Sequence, residues 1–231
     1  MIKIKGLQKL TLLDFPERIA ATVFLGGCNF RCPFCHNASL VLPDRLGEDI
    51  SEESFFAFLA SRRGRLSGVC VSGGEPTLYK SLPEFLGKIK EMGFATKLDT
   101  NGYNPDMLEH LLDEGLVDYV AMDIKNSRER YSESVGISEL DITKIEKSAE
   151  LLMNGSVPFE FRTTVCRELH TEDDIRKIGE WLSGEEKFYL QSFKDSGDIL
   201  AAGYSAYSDE EMRALAFALR QLIPNAAYRG E

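Results

Sequence analysis

The sequence lacks any apolar run close to the ~20 residues that a membrane-spanning helix needs, although 43% of its 231 residues are hydrophobic. The first residues also lack the apolar core of a secretory signal, because lysines interrupt them. Basic residues are outnumbered by acidic ones, 27 against 37, which gives a net charge of −10. Such a surface repels phosphate backbones and anionic lipids. We therefore expect a cytoplasmic protein that binds neither nucleic acid nor membranes.

The chain also lacks linkers, low-complexity stretches and a plausible disulfide framework. Its five cysteines are an odd number in a chain that is not small, and nothing marks it for export. We predict a single domain over residues 1–231. Cys28, Cys32 and Cys35 fall within eight residues and form the strongest signal in the sequence. Cys70 and Cys166 are expected to be buried structural residues.

Short apolar segments alternate with segments of helical character along the chain. The apolar segments predict six strands, at residues 19–26, 66–72, 95–99, 119–123, 158–165 and 187–191. The others predict six helices, at residues 51–61, 82–92, 105–114, 141–154, 171–182 and 208–222, with caps at Ser51, Asn104, Thr171 and Ser208. This alternation is typical of a parallel sheet with outer helices. Six units predict an α/β fold, a partial (β/α)6 TIM-like barrel, with a doubly wound sheet as the alternative.

Polar motifs accompany the ends of nearly all the predicted strands. In strand order they are Gly26-Gly27-Cys28, Gly73-Gly74-Glu75-Pro76, Asp99-Thr100-Asn101-Gly102, Asp123-Ile124-Lys125, Arg162 within the fifth strand, and Gln191-Ser192-Phe193. Acidic residues and glycines are common in turns, so one such motif alone indicates little. The carboxyl ends of parallel strands form the rim where such sheets bind ligands. The repeated pattern therefore predicts a site at this rim.

Three thiols on one short loop suggest a metal site, because thiolates select zinc, copper(I) or iron–sulfur clusters. A zinc site could add His36, although adjacent Cys35 and His36 would strain one tetrahedron. The run Cys32-Pro33-Phe34-Cys35-His36 also matches a haem-attachment motif, but that chemistry belongs to an exported compartment. The favoured interpretation is a [4Fe–4S] cluster held by three cysteines, with its fourth iron open to a ligand.

The run Cys28-Asn29-Phe30-Arg31-Cys32-Pro33-Phe34-Cys35-His36-Asn37 resembles the signature of the radical S-adenosylmethionine superfamily, C-x3-C-x-aromatic-C. Gly73-Gly74-Glu75-Pro76 resembles the second motif of that family, which receives the methionine amino group. The motifs at Asp99 and Asp123, and the opening Leu12-Leu13-Asp14-Phe15-Pro16, resemble glycyl-radical enzyme activating enzymes. Within that group, the chain is most similar to the short activating proteins of anaerobic ribonucleoside-triphosphate reductase.

The resemblance implies a reaction, two cofactors and two protein partners. A reduced [4Fe–4S] cluster would cleave S-adenosylmethionine to methionine and a 5′-deoxyadenosyl radical, which takes a hydrogen atom from a glycine of a partner enzyme. The partner would be a glycyl-radical enzyme such as anaerobic ribonucleotide reductase. Cys70 and Cys166 are too few for additional clusters, so an external one-electron reductant such as flavodoxin or ferredoxin is expected.

The resemblance also implies roles for particular residues. Cys28, Cys32 and Cys35 would bind iron, and Gly73 and Gly74 would allow the ligand to approach the backbone closely. Carboxylates of Glu75 and Asp99 suit an ammonium group, and Lys125 and Arg162 suit the methionine carboxylate. The remaining candidates are Asp123 and Thr100, on the methionine side or at a monovalent-cation site, Asn101 in the same motif, and Phe34, Asn37 and Gln191 at the cofactor.

Two other functions remain open from the sequence. One is a radical S-adenosylmethionine enzyme that acts on a small molecule, of the deazapurine synthase type. The other is a metal-binding module without turnover, although the Gly73–Pro76 motif has no use in a purely structural metal site. His110 and His170 are expected at the surface or at helix caps rather than in the site.

Overall fold

The computed structural model describes residues 2–42, 45, 47–184 and 187–230. Eight strands in these ranges form one sheet in chain order: β1 (Ile4–Thr11), β2 (Ala20–Leu25), β3 (Gly68–Gly73), β4 (Ala95–Thr100), β5 (Tyr119–Asp123), β6 (Phe159–Val165), β7 (Lys187–Ser192) and β8 (Ala226–Arg229). β1 runs antiparallel to β2, and every later pair is parallel. No ladder between described residues joins β8 back to β1, so the barrel is open.

Eight α-helices are found among the described residues: α1 (Ala38–Val41), α2 (Glu52–Ser61), α3 (Leu82–Glu91), α4 (Pro105–Asp113), α5 (Tyr131–Val135), α6 (Ile142–Met153), α7 (Glu172–Trp181) and α8 (Asp209–Leu219). The six longer ones correspond to the six predicted helices. The short α1 and α5 lie inside loops and were not predicted. No helix in the described ranges is both long and apolar enough to cross a membrane.

The predicted partial (β/α)6 barrel is confirmed, with β2 to β7 as the six predicted strands. The strand order follows the chain order, whereas a doubly wound sheet reverses direction part of the way across. The doubly wound alternative is therefore wrong. Two strands at the open edges were missed. β1 alternates poorly, since only its first and last residues are buried, and β8 has only four residues.

The predicted helix caps are confirmed, because each predicted residue accepts a backbone N–H of the first turn. Ser51 accepts from Ser54, Asn104 from Met107, and Thr171 and Ser208 both form full capping boxes. The last helix ends at Leu219, three residues before the predicted boundary. Pro224 follows, and the residue before a proline avoids the helical region, so the chain turns there into β8.

The apolar core lies between the outer face of the sheet and the helices. Near α2 and α3 it is aromatic: Phe55 and Phe85 stack with ring centroids 5.3 Å apart, and Phe56 packs 5.5 Å from Phe85. The inner face of the barrel is different, because it carries charged residues such as Lys97 and Glu160, both buried. Apolar packing therefore stabilises the outside of the barrel, and the inside is left for polar groups.

Phe85→Ala should lower the free energy of unfolding by about 3–5 kcal/mol, because it leaves a cavity in the aromatic cluster. The matched control is Phe217→Ala on α8, where the phenylalanine is 66% exposed. The control should change stability little. Chemical denaturation of both variants measures the difference, and equal effects would contradict this account of the core.

Candidate active site

The carboxyl ends of the strands surround a cavity of about 270 Å³. Every residue predicted for the site lines this cavity, with the exception of Glu75. Phe24, His36, Ser72 and Thr164 also line it and were not predicted as site residues. A separate hollow of about 500 Å³ between α4 and α6 contains none of the predicted residues. The strand-end motifs therefore converge at one rim.

The three clustered cysteines lie on the loop between β2 and α1. The amide of Cys35 donates to the carbonyl of Cys32 over 3.0 Å, which forms a tight turn between these two residues. Arg31 fixes the middle of the loop. Its amide donates to Val135 over 2.8 Å, and its guanidinium donates to the carbonyls of Cys28 and Phe30, each over 2.7 Å. The loop is thus held before any metal binds.

Burial favours the neutral thiol at Cys28 and Cys32. Burial raises the pKa of Cys28 to about 11 and that of Cys32 to about 12. A metal must displace these protons, so binding would be coupled to thiolate formation. Within the described residues, no three His, Cys, Asp or Glu side chains are gathered closely enough to hold a single ion. The three thiols line the same cavity, but they do not surround a single position at which one ion could bind.

A segment from the far end of the chain covers the outside of the cysteine loop. This strap, residues 196–201, donates from Leu200 to the Cys35 carbonyl over 3.2 Å and from Ala201 to the Pro33 carbonyl over 2.9 Å. Asp198 accepts from the amide of Ser39 over 3.0 Å and so caps α1. The sequence offered no signal for this contact, because glycine and aspartate in this stretch indicate only a turn.

The Gly73-Gly74 pair is required by the protein's own packing. A Cβ atom on Gly74 would lie 1.9 Å from the carbonyl oxygen of Gly27, and one on Gly73 would lie 2.3 Å from the backbone of Leu25. The amide of Gly74 donates to Leu25 over 2.8 Å. Because neither glycine has a side chain, the turn after β3 can pack against the end of β2, beside the cysteine loop.

Glu75 does not line the cavity, and its carboxylate is occupied by the protein. It is 1% exposed and accepts from the amide and hydroxyl of Thr77, the hydroxyl of Thr100 and the amide of Asn101, over 2.6–3.0 Å. These bonds join the ends of β3 and β4. Three of these donors bind Oε1 and one binds Oε2, so the prediction that this carboxylate also faces an ammonium group stays a prediction.

Alternating charges cross the cavity floor. Arg162 contacts Asp99 over 3.5 Å and Asp123 over 3.0 Å, and Lys125 contacts Asp123 over 3.1 Å. We call these four residues the charge row. Burial opposes the charge on Asp123, but Arg162 and Lys125 outweigh it and hold the pKa of this carboxyl well below its usual range. The row therefore presents two fixed cations to the cavity.

His170 is fully buried, so the prediction of a surface or cap position is wrong for it. Its Nε2 lies 2.8 Å from the carbonyl of Lys125, and its Nδ1 lies 3.2 Å from the amide of Cys166. Burial lowers the pKa of this imidazole, and a neutral ring protonated at Nε2 satisfies both contacts. The ring also packs edge-on against Phe34, with centroids 5.9 Å apart. His110, by contrast, is exposed in the last turn of α4.

Three amide side chains complete the cavity wall. Asn101 donates to the side chain of Asn29 over 2.8 Å, which ties the end of β4 to the cysteine loop. Asn37 immediately precedes α1, and Gln191 lies near the end of β7, both half-buried. The side chain of Asn37 borders the cavity two residues after Cys35, and the side chain of Gln191 borders it at the end of β7.

The sequence matches the Radical SAM superfamily over residues 22–182, where SAM denotes S-adenosylmethionine. A Methanocaldococcus jannaschii protein provisionally named as a glycyl-radical enzyme activating enzyme is 33% identical over 98% of this chain and 95% of its own length. The pyruvate formate-lyase 1-activating enzyme of Escherichia coli K12 is 27% identical over 84% of this chain and 82% of that enzyme. The crystal structure of Streptococcus suis SuiB bound to precursor peptide SuiA has the same fold, with a TM-score of 0.70, 16% identity and coverage of 88% and 47% of the two chains.

Gly74→Ala should disrupt the site by forcing β2 and β3 apart at their carboxyl ends. Overpacking of this kind costs about 1–3 kcal/mol, and the backbone of Gly27 has little freedom to move. Gly47→Ala is the control, because a Cβ there meets nothing within 4 Å. Thermal unfolding and iron uptake measure both variants. A Gly74→Ala protein with wild-type melting and iron content would contradict the packing argument.

Proposed function

This chain belongs to the radical SAM superfamily, and we propose that within it the protein is the activating enzyme of a glycyl-radical enzyme. It cleaves S-adenosylmethionine reductively, and the 5′-deoxyadenosyl radical then takes a hydrogen atom from a backbone glycine of the partner. The observation that carries this proposal is the convergence of three thiols and two partly buried cations on one cavity, in a chain that matches a provisionally named activating enzyme along nearly its whole length.

The donor set at the cavity fits a cluster with one open iron. Cys28, Cys32 and Cys35 supply three thiols and leave no fourth cysteine at the cavity, since Cys70 and Cys166 do not line it. When bound there, a [4Fe–4S] cluster supplies the electron that breaks the sulfonium–carbon bond and the open iron that chelates the cofactor. Cys32 is buried, and the strap binds the backbone carbonyls of Pro33 and Cys35 on the outer side of the loop.

The cofactor would lie across the charge row. Lys125 and Arg162 line the cavity and can pair with the methionine carboxylate, while Asp99 offers an acceptor to the ammonium group. Backbone atoms of Gly73 and Gly74 border the same space. Thr100, Asn101 and Asp123 would hold the methionine side or a monovalent cation, and Phe34, Asn37 and Gln191 would border the rest of the cofactor.

The similar proteins favour a protein substrate. Two of them are named as activating enzymes, one of a glycyl-radical enzyme and one of pyruvate formate-lyase. The cavity of about 270 Å³ is too small to enclose both the cluster and S-adenosylmethionine, so the bound groups would extend to its opening. A glycine on a partner loop needs only to present one Cα hydrogen at the opening. We propose anaerobic ribonucleoside-triphosphate reductase as this partner, because of the resemblance to its short activating proteins.

The proposal also implies where the electron comes from. Cys70 and Cys166 are both buried and far apart in the sequence, so an accessory cluster would lack ligands among the cysteines. An external one-electron carrier of the flavodoxin or ferredoxin type would therefore reduce the site. Such carriers and an open cluster both belong to a reducing compartment, which is consistent with a cytoplasmic enzyme.

Cys32→Ala should abolish both the broad iron–sulfur absorbance and the release of 5′-deoxyadenosine, because two cysteines cannot hold the cluster. The measurement is anaerobic reconstitution with iron and sulfide, followed by dithionite and S-adenosylmethionine and by chromatography. Cys166→Ala is the control: it removes a buried thiol outside the cavity and should keep the cluster and the product. Product formation by reconstituted Cys32→Ala would refute the ligand assignment.

The partner is tested by electron paramagnetic resonance of mixtures of the reconstituted enzyme with candidate glycyl-radical enzymes. Anaerobic ribonucleoside-triphosphate reductase should develop a glycyl radical signal, and a variant with alanine at its radical glycine should not. If 5′-deoxyadenosine forms but no candidate enzyme develops a glycyl radical signal, the protein acts on another substrate. A small molecule then becomes the leading alternative. If no 5′-deoxyadenosine forms, the activating function itself is wrong.

A further inference from the structure

Lys97 is a lysine buried inside the barrel that the proposed chemistry does not use. It is 1% exposed and lies on β4, two residues before Asp99, so both side chains face the interior. Its ammonium group donates to Oδ1 of Asp99. The other neighbours of this group are weak partners: the thiol of Cys70 at 3.9 Å and the ring of Tyr119, with its centroid at 6.0 Å.

The contact with Asp99 extends the charge row by one member. Lys97 occupies Oδ1 of Asp99, and Arg162 reaches only the other oxygen, Oδ2, over 3.5 Å. Arg162 lies closer to Asp123, with its Nε 3.0 Å from Oδ1, and Lys125 takes the remaining Oδ2 over 3.1 Å. The five residues therefore alternate in charge from the barrel interior to the cavity, and each carboxylate is shared between two cations.

Stability alone does not account for a charged group in this position. Taking a lysine out of water is costly, and replacing a whole buried ion pair with apolar side chains of similar size is often neutral or stabilising, whereas removing one partner destabilises the protein when it leaves the other charge unpaired. Asp99 would keep Arg162 as a partner if Lys97 were removed, so no carboxylate would be left alone. The neighbourhood of Cys70 and the Tyr119 ring would also accept an apolar side chain. The charge of Lys97 therefore points to a role in the site.

We propose that Lys97 is a positioning residue for S-adenosylmethionine binding, which acts through Asp99 on the placement of Arg162. By occupying one oxygen of Asp99, Lys97 weakens the pull of that carboxylate on the guanidinium. Arg162 then keeps its contact with the carboxylate of Asp123. Lys125 shares that carboxylate with Arg162 instead of being its only cationic partner. The inference rests on the proposed function, because the ligand whose carboxylate would bind these cations is S-adenosylmethionine.

Removal of Lys97 would redistribute the contacts of the row. Asp99 would pair with Arg162 alone and draw the guanidinium away from Asp123. Asp123 would then bind Lys125 more tightly, and the ammonium group of Lys125 would be less available to a carboxylate in the cavity. Cofactor affinity would fall although Lys97 itself does not line the cavity.

The first test compares Lys97→Met with wild type in two measurements. The melting temperature of the metal-free protein should be unchanged or higher. The dissociation constant for S-adenosylmethionine, measured by equilibrium dialysis with the cluster-loaded protein, should rise roughly tenfold, the usual cost of losing an outer-shell partner. Lys187→Met on β7, an exposed strand lysine, is the control and should change neither quantity.

The second test does not require the cofactor. In metal-free protein labelled with ¹⁵N-arginine, the Nε–H signal of Arg162 reports its bond to Asp123 and can be assigned from Arg162→Lys. It should shift in Lys97→Met and shift less in Lys97→Gln, which keeps a donor for Asp99. In an Asp99→Asn background, Lys97→Met should have no further effect on cofactor affinity, because the lysine acts only through that carboxylate.

The outcomes separate this inference from the proposed function. Failure of the wild-type protein to bind S-adenosylmethionine would overturn the proposed function and this inference with it. If the wild type binds normally, unchanged affinity and an unmoved Arg162 signal in Lys97→Met would overturn the inference alone. Additive effects of the Lys97 and Asp99 substitutions would also overturn it. A Lys97→Met protein that melts far below wild type or fails to fold would show that the lysine supports the barrel instead.

Discussion

The pairing register of β5 and β6 is the constraint on which the site depends. Asp123 and Arg162 are direct partners in this parallel ladder, so the ion pair at the centre of the charge row is a cross-strand pair fixed by the backbone. A slip of one residue would turn Arg162 to the helix side and place Phe161 or Thr163 opposite Asp123. Because the parallel pairs continue from β2 to β8, the same alignment brings the cysteine loop and Gln191 to one rim, although they are far apart in the chain.

Within this frame, the cysteine loop is held by contacts from several directions. Gly74 lets the turn after β3 approach the backbone of Gly27, and the carboxylate of Glu75 joins that turn to the end of β4. Arg31 ties the loop to α5, and the strap covers its outer side. None of these contacts uses a cysteine side chain. The loop can thus stay in place without the cysteine side chains, which is the preorganisation that a reactive metal site requires.

The sequence predicts the barrel and the cavity wall well, because the patterns that indicate them are local in the chain. Apolar strands, capped helices and strand-end motifs leave patterns within a few residues, and parallel topology turns a strand end into a rim position. Long-range contacts leave no such pattern. The strap meets the cysteine loop more than a hundred residues away, and His170 resembles an ordinary residue ahead of a helix until Lys125 and Phe34 are placed beside it. Glu75 was assigned to a ligand from its motif, and only the fold shows that four protein donors already use its oxygens.

The extended charge row has more cations than carboxylates, whereas the whole molecule is acidic. The chain carries a net charge of −10, yet the extended row holds three cations and two carboxylates, and the carboxylate of Glu75 is buried outside the cavity. In a poorly solvated interior this excess favours an anion, and the carboxylate of an amino acid ligand would supply one. Lys125 also lowers the pKa of Cys28 and Cys32, although burial outweighs it. Lys125 would therefore ease thiolate formation at these two cysteines. The cavity thus brings together sulfur for a metal and cations for a carboxylate, although the molecule as a whole is acidic.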